Sequence, residues 1–173
     1  TGYFSSYEIQ VILSMLRILD NPLQDIPMAA VLASPIVGMD DEELAQIRSA
    51  FKGVSFAQAA LSAMAGEDGY EDEKLKAFAL VFERLRGAVA DTPIHELLYM
   101  ILDETGFYRY ASAMPAGKRR RQNIDMLIEM AAAYEKTSYK GLFHFVRYID
   151  IQQKYEIDYG EADTAGENDD VVR

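Results

Sequence analysis

The sequence predicts an all-α protein, a single compact domain of about eight or nine helices with no significant β-sheet. Three observations carry that prediction. Apolar residues recur at three- and four-residue spacing along most of the chain, the period of an amphipathic helix. Each periodic stretch is bracketed by helix start and stop residues. Strand signals are nearly absent: there is no alternating β-branched run and no Asn-Gly hairpin turn. The 173 residues are half apolar. That suits one domain, since domains usually run roughly 100–200 residues, and a chain this long buries about 70% of its unfolded surface. No internal repeat at solenoid spacing is visible.

The elements follow in order. Ser5-x-x-Glu8 is a capping box, and Ile9, Ile12, Leu13, Leu16 and Leu19 then line one face of a helix to about Asp20, where Asn21-Pro22 stops it. Asp25 can cap a second helix through Ala33, with Pro27 tolerated in its first turn. Asp40-x-x-Glu43 opens a third, carrying Leu44, Ile47 and Phe51, and Ser55-x-x-Gln58 a fourth, carrying Ala59, Leu61 and Met64. Residues 66–70 form a loop. Residues 71–90 form a long helix with Leu75, Phe78, Phe82, Leu85 and Val89 inward. Thr92-Pro93 is a cap plus first-position proline for a helix ending at Thr105-Gly106. Residues 108–114 make a short helical turn before Pro115. Residues 117–136 form another long helix, with Ile124, Leu127, Ile128, Ala131 and Tyr134 inward. Residues 141–155 form the last, with Phe143, Val146, Ile149 and Ile151 inward. Residues 1–155 are thus the helical domain. Residues 156–173, acidic and without apolar period, read as a flexible linker, and residues 170–173 can begin a strand.

Much chemistry is excluded. With no cysteine there is no disulfide scaffold, thiolate zinc site, iron–sulfur cluster or cysteine nucleophile. Two histidines, His95 and His144, make no histidine-rich metal site. The acidic clusters at 40–43, 71–73 and 103–104 sit at helix ends, and the first two complement a helix dipole rather than a metal. No phosphate loop, G-x-G-x-x-G fingerprint, G-x-S-x-G elbow or H-E-x-x-H is present. The longest uncharged stretches, 26–39 and 53–66, are 14 residues each, short of the roughly 20 apolar residues that span a bilayer. No signal peptide is visible, and the start at Thr1 suggests a piece of a longer protein.

The net charge of −11 is unevenly spread. Residues 1–105 carry −10, residues 106–147 carry +5 and residues 148–173 carry −6. The basic segment is densest at Lys118-Arg119-Arg120-Arg121, followed by Gln122 and Asn123. A solvated helix start is the plain reading of that run. Yet four cations in a helix's first turn oppose its macrodipole, and a phosphate-bearing partner would offset that cost. Lys118, Arg119, Arg120 and Arg121 are therefore the candidate phosphate contacts. Lys140, Arg147 and Arg109 are weaker candidates, and Gln122 and Asn123 can donate to phosphate or sugar. Tyr108 and Tyr110 flank Arg109, and aromatics beside a cation can stack on bases, though packing explains them as well. On residue chemistry alone the chain is a helical binding or interaction module without an active site of its own.

Two segments carry a family resemblance. The first is Gly2-Tyr3-Phe4, Glu8-Ile9, Leu13, Leu16-Arg17, Asp20-Asn21-Pro22 and Asp25, continuing through Ile26-Pro27-Met28-Ala29-Ala30-Val31-Leu32-Ala33-Ser34-Pro35 and Asp41-Glu42-Glu43-Leu44. The second runs from Met114-Pro115-Ala116-Gly117-Lys118-Arg119 through Tyr134-Glu135 and Gly141-Leu142-Phe143 to Phe145-Val146-Arg147-Tyr148-Ile149. They resemble UvrD-like superfamily 1 DNA helicases, and among them the AddA chains of bacterial ATP-dependent helicase–nucleases. Residues 51–92 match weakly. The resemblance implies the helical insertion called domain 2B, which contacts duplex DNA and modulates a motor without chemistry of its own. It further implies a cytoplasmic bacterial parent acting in double-strand break repair and recombination. ATP, magnesium and the nuclease carboxylates would be bound elsewhere in that parent, and residues 156–173 would lead back to its motor domain. The second chain of the helicase–nuclease heterodimer would be its partner. The fragment itself would need no cofactor. The alternative is a protein-interaction module whose basic helix start docks an acidic surface of a partner chain or neighbouring domain.

Overall fold

The computed structural model describes residues 2–137 and 141–170, with side chains as far as Ile157. Among the described residues there are nine α-helices and no strand. They are α1 (Tyr7–Asp20), α2 (Asp25–Ala33), α3 (Asp41–Ala50), α4 (Phe56–Met64), α5 (Glu73–Ala88), α6 (Ile94–Thr105), α7 (Phe107–Ala113), α8 (Gly117–Tyr134) and α9 (Leu142–Asp170). A 3-10 turn, Tyr3–Ser5, precedes α1, and a second, Glu67–Gly69, lies in the loop before α5.

Helix α1 is the axis of the fold. Ile9, Val11, Ile12, Leu13, Met15, Leu16, Ile18 and Leu19 are all buried, so the helix is covered nearly all round, as a helix apolar on most sides must be. It packs against α2, α5, α8 and α9. Each such aliphatic side chain contributes about 1.5–3 kcal/mol when removed from water, so this one helix anchors the core. The outer helices are amphipathic. Helix α5 buries Leu75, Phe78, Phe82 and Leu85, and α8 buries Ile124, Leu127, Ile128 and Ala131, at the spacing the sequence shows.

The local start signals hold in part. Asp40 and Glu43 form the full capping box: Glu43 N–H donates to Asp40 Oδ1 at 2.8 Å, and Asp40 N–H donates to Glu43 Oε1 at 3.2 Å. Ser55 Oγ accepts from Gln58 N–H at 3.2 Å, but the Gln58 amide turns to Ser62. The Ser5 box does not form. Ser5 lies in the 3-10 turn, donates to Gly2 O at 2.7 Å, and leaves Glu8 for another role. Nor does Asp25 cap α2, where Gln24 holds the cap position. The Asp25 carboxylate crosses to α4 and accepts from Ala57 N–H at 2.9 Å. Pro93 sits at the cap of α6 without a side-chain bond. Glu135, at the end of α8, supplies the acceptor instead, taking His95 N–H at 2.8 Å. At Asp25 and at the start of α6 a partner distant in sequence displaces the local one.

Two differences concern α9. Its buried stripe is Leu142, Phe145 and Ile149, while Phe143 is 53% exposed and Ile151 is exposed as well. Ile149 is buried and Val146 packs against the core as the sequence suggests, while Leu142 and Phe145 take the inward places expected of Phe143 and Ile151, Phe145 packing on Tyr134 and Tyr148. The helix also continues through residues 156–170, where the sequence predicts open chain. Propagating an anchored helix costs far less than nucleating one, and α9 is held to α1 by Arg17 on Asp150 at 2.9 Å and on Gln153 at 3.0 Å. Asp170 is helical, and residues 171–173 of the expected strand start lie outside the described residues.

Candidate nucleic-acid interface

The basic run sits where α7 turns into α8. Helix α7 ends at Ala113, and a tight turn through Pro115 and Ala116 leads to Gly117. Ala116 takes the left-handed backbone conformation at φ 60°, which L-residues with a side chain disfavour by about 1–2 kcal/mol. A Cβ on Gly117 would stand 2.0 Å from Ser112 O, so only glycine lets the two helices meet this closely. The turn is held by Arg120, whose Nε donates back to Pro115 O at 2.8 Å.

The same Arg120 reaches inward. Its Nη1 donates to Glu8 Oε2 at 2.9 Å, and Asn123 Nδ2 donates to Glu8 Oε1 at 2.7 Å. Glu8 is only 2% exposed. A carboxylate at that depth needs an opposite charge and hydrogen bonds on both oxygens, and these two residues supply them. The Tyr3 hydroxyl donates to Asn123 O at 2.7 Å and ties the N-terminal turn to the same spot. Burial first, then the Glu8 and Glu156 carboxylates, push Tyr3 ionisation well above the ordinary tyrosine range.

The candidate contacts therefore divide. Arg120 and Asn123 are bound to Glu8. Lys118, Arg119, Arg121 and Gln122 are exposed on the outer face of the first turns. The three cations make no ion pair among the described residues. Arg119 borders a cleft of about 540 Å³ between the start of α8 and the N-terminal turn, shared with Tyr3, Ser6 and Tyr7. Arg109 is exposed on α7 and borders a second cleft with Tyr108. Tyr110 faces another way and stacks on Phe107 at 6.4 Å. Arg147 lies on α9 with its guanidinium 5.7 Å from the Phe143 ring centre. Lys140 lies outside the described residues.

Sequence reasoning passes over Glu8 as the anchor of this site. The signal is present: Glu8 stands on the stripe of Ile12, Met15 and Leu19, and a carboxylate on a helix's buried face needs a cation from elsewhere. Among the described residues no group of three or more His, Asp or Glu is placed to hold a metal, and no helix is long and apolar enough to cross a membrane.

Fold and site together define an all-helical unit that presents a basic helix start pinned on a buried carboxylate. No protein-family model matches the chain. Individual relatives do, along its whole length. It is 43% identical over 175 residues to the A chain of the ATP-dependent helicase/nuclease of Anoxybacillus flavithermus. It is 41% identical to the protein of the same name from Bacillus cytotoxicus and 39% identical to that from Bacillus velezensis. The chain spans 14% of the length of each of these relatives. It belongs to the AddA family of ATP-dependent helicase/nucleases as a segment of it.

Proposed function

We propose that this unit is the 2B-like accessory domain of an AddA helicase–nuclease chain and contacts the backbone of duplex DNA through Lys118, Arg119 and Arg121. One observation carries the reading. Of four consecutive cations, one is bound to Glu8 and fixes the helix start, and three are left exposed together with no ion pair among the described residues. Such a face binds phosphate oxygens and positions a duplex without reading its sequence. Gln122 adds a donor, and Arg109 and Arg147 are secondary contacts. ATP, magnesium and the nuclease chemistry belong in this reading to the rest of the protein, and the second helicase–nuclease chain to the working complex in double-strand break repair.

The test is a salt titration of duplex binding by the full-length protein with Lys118, Arg119 and Arg121 changed to Glu. Each lost phosphate contact lowers the slope of log affinity against log salt by roughly 0.9. A slope and affinity equal to wild type would overturn the assignment. A second reading, docking onto a partner chain or neighbouring domain, is favoured by a separate patch. Ile26 is 84% exposed beside an apolar groove formed by Ala29, Leu44 and Phe56. Crosslinking to protein in the complex from a photoreactive residue placed at Ile26 would select it.

A further inference from the structure

A cleft of about 470 Å³ lies between α6, α7 and α8, within the range of small-ligand sites. Its floor is apolar, made by Leu102 and Ile128, both nearly buried. Two tyrosines face it. Tyr99 is 58% exposed, and Tyr108 is half-buried. Two carboxylates, Asp103 and Asp125, line the walls, and Arg109 stands at the mouth. The Tyr108 hydroxyl donates to Asp125 at 3.4 Å, a long bond that leaves the carboxylate with spare acceptor capacity. Arg121 stands four residues before Asp125 on α8, on the same face of the helix, so the polar end of the cleft adjoins the basic start of α8.

The composition selects a ligand. Exposed aromatic rings over an apolar floor accept a flat π-system. The carboxylates accept hydrogen bonds and offer none, so the ligand's inner edge must carry N–H donors. Arg109 at the rim takes an anion. A flat ring with an amino edge and an attached phosphate is a nucleotide. We propose that this cleft receives an unpaired nucleotide of DNA, its base against Tyr99 and Tyr108, its amino edge toward Asp103 and Asp125, and its phosphate at Arg109 and Arg121. The inference deepens the DNA reading above and rests on it. It assigns to the same surface a second task, holding a base that has left the duplex. Cytosine, adenine and guanine carry an exocyclic amino group and thymine does not, so the cleft favours dC over dT.

The experiment follows the fluorotyrosine NMR signals of Tyr99 and Tyr108 in the full-length protein at low salt, titrated separately with dCMP, TMP and N-acetyl-arginine amide. The expected result is saturable shifts with dCMP, several-fold weaker shifts with TMP, and none with the arginine probe. Tyr99→Ala weakens dCMP roughly tenfold, the scale of one base–aromatic stack, and Tyr99→Phe restores it. Asp103→Asn removes the preference of dCMP over TMP. No saturable shift with dCMP overturns the proposal. Equal binding of dCMP and TMP overturns the amino-edge assignment. Binding of the arginine probe alone overturns it in favour of a cationic side chain from a partner protein. The neutral Lys118→Gln, Arg119→Gln pair lowers the salt slope of duplex binding and keeps saturable dCMP shifts, so failure of the cleft and failure of the duplex contacts are read separately.

Discussion

Two segments of this chain carry the same four-residue signal and use it differently. Asp40-x-x-Glu43 and Ser5-x-x-Glu8 both have the spacing of a capping box. The first closes on itself at the surface, where Glu43 also meets Lys74 Nζ at 2.8 Å. The second never closes. Its glutamate lies on the buried face of the central helix, and its carboxylate is claimed by Arg120 and Asn123, more than a hundred residues along the chain. Burial makes the difference. At the surface, water completes whatever a local motif leaves unpaired. In the interior the whole requirement must be met by protein groups, and the strongest available partner displaces the nearest one.

The largest way to break this comparison is Arg120→Ala. It leaves a buried carboxylate without its cation, and chemical denaturation should show a loss of about 3–5 kcal/mol. Replacing the pair together, Glu8→Leu with Arg120→Met, should recover most of that loss, because an apolar pair leaves no charge stranded. Asp40→Ala should cost about 1 kcal/mol, the worth of a surface helix cap. Tyr3→Phe should cost a similar amount, about 1 kcal/mol for one lost hydrogen bond, and should change the pH profile. Because Tyr3 ionisation is raised in the folded state, its stabilisation is present below the ordinary tyrosine pKa and is lost as pH rises above about 10. The variant's alkaline unfolding curve should be correspondingly flatter. The smallest effect belongs to Ser5→Ala, whose cap does not exist. It should stay within about 0.5 kcal/mol by thermal melting, and a loss equal to that of Asp40→Ala would show that the box forms after all.

Where a signal is local and exposed, it is legible. The Asp40 box, the cap at Ser55, the stop at Gly106 and the apolar stripes of α5 and α8 all stand as single-sequence reasoning places them. The misreadings share one cause. Glu8, Asp25 and the start of α6 each satisfy their hydrogen bonds across the fold. On α9 Phe145 rather than Phe143 turns inward, where it joins Tyr134 and Tyr148. The basic run is visible as charge, but a row of four cations does not say which of them faces inward. The cleft of Tyr99, Tyr108, Asp103 and Asp125 joins residues of three helices and has no linear signature.

The sequence by itself determined the helical class, most helix boundaries and the position of the basic segment. Those depend on side-chain period and on caps within a turn of one another, which are properties of neighbours in the chain. Only the tertiary structure decided that Arg120 and Asn123 serve a buried glutamate while Lys118, Arg119 and Arg121 remain at the surface. Helix periodicity limits which residues share a face, but the packing of α8 against α1 settles which face is buried, and a buried charge then selects its partners at any sequence distance.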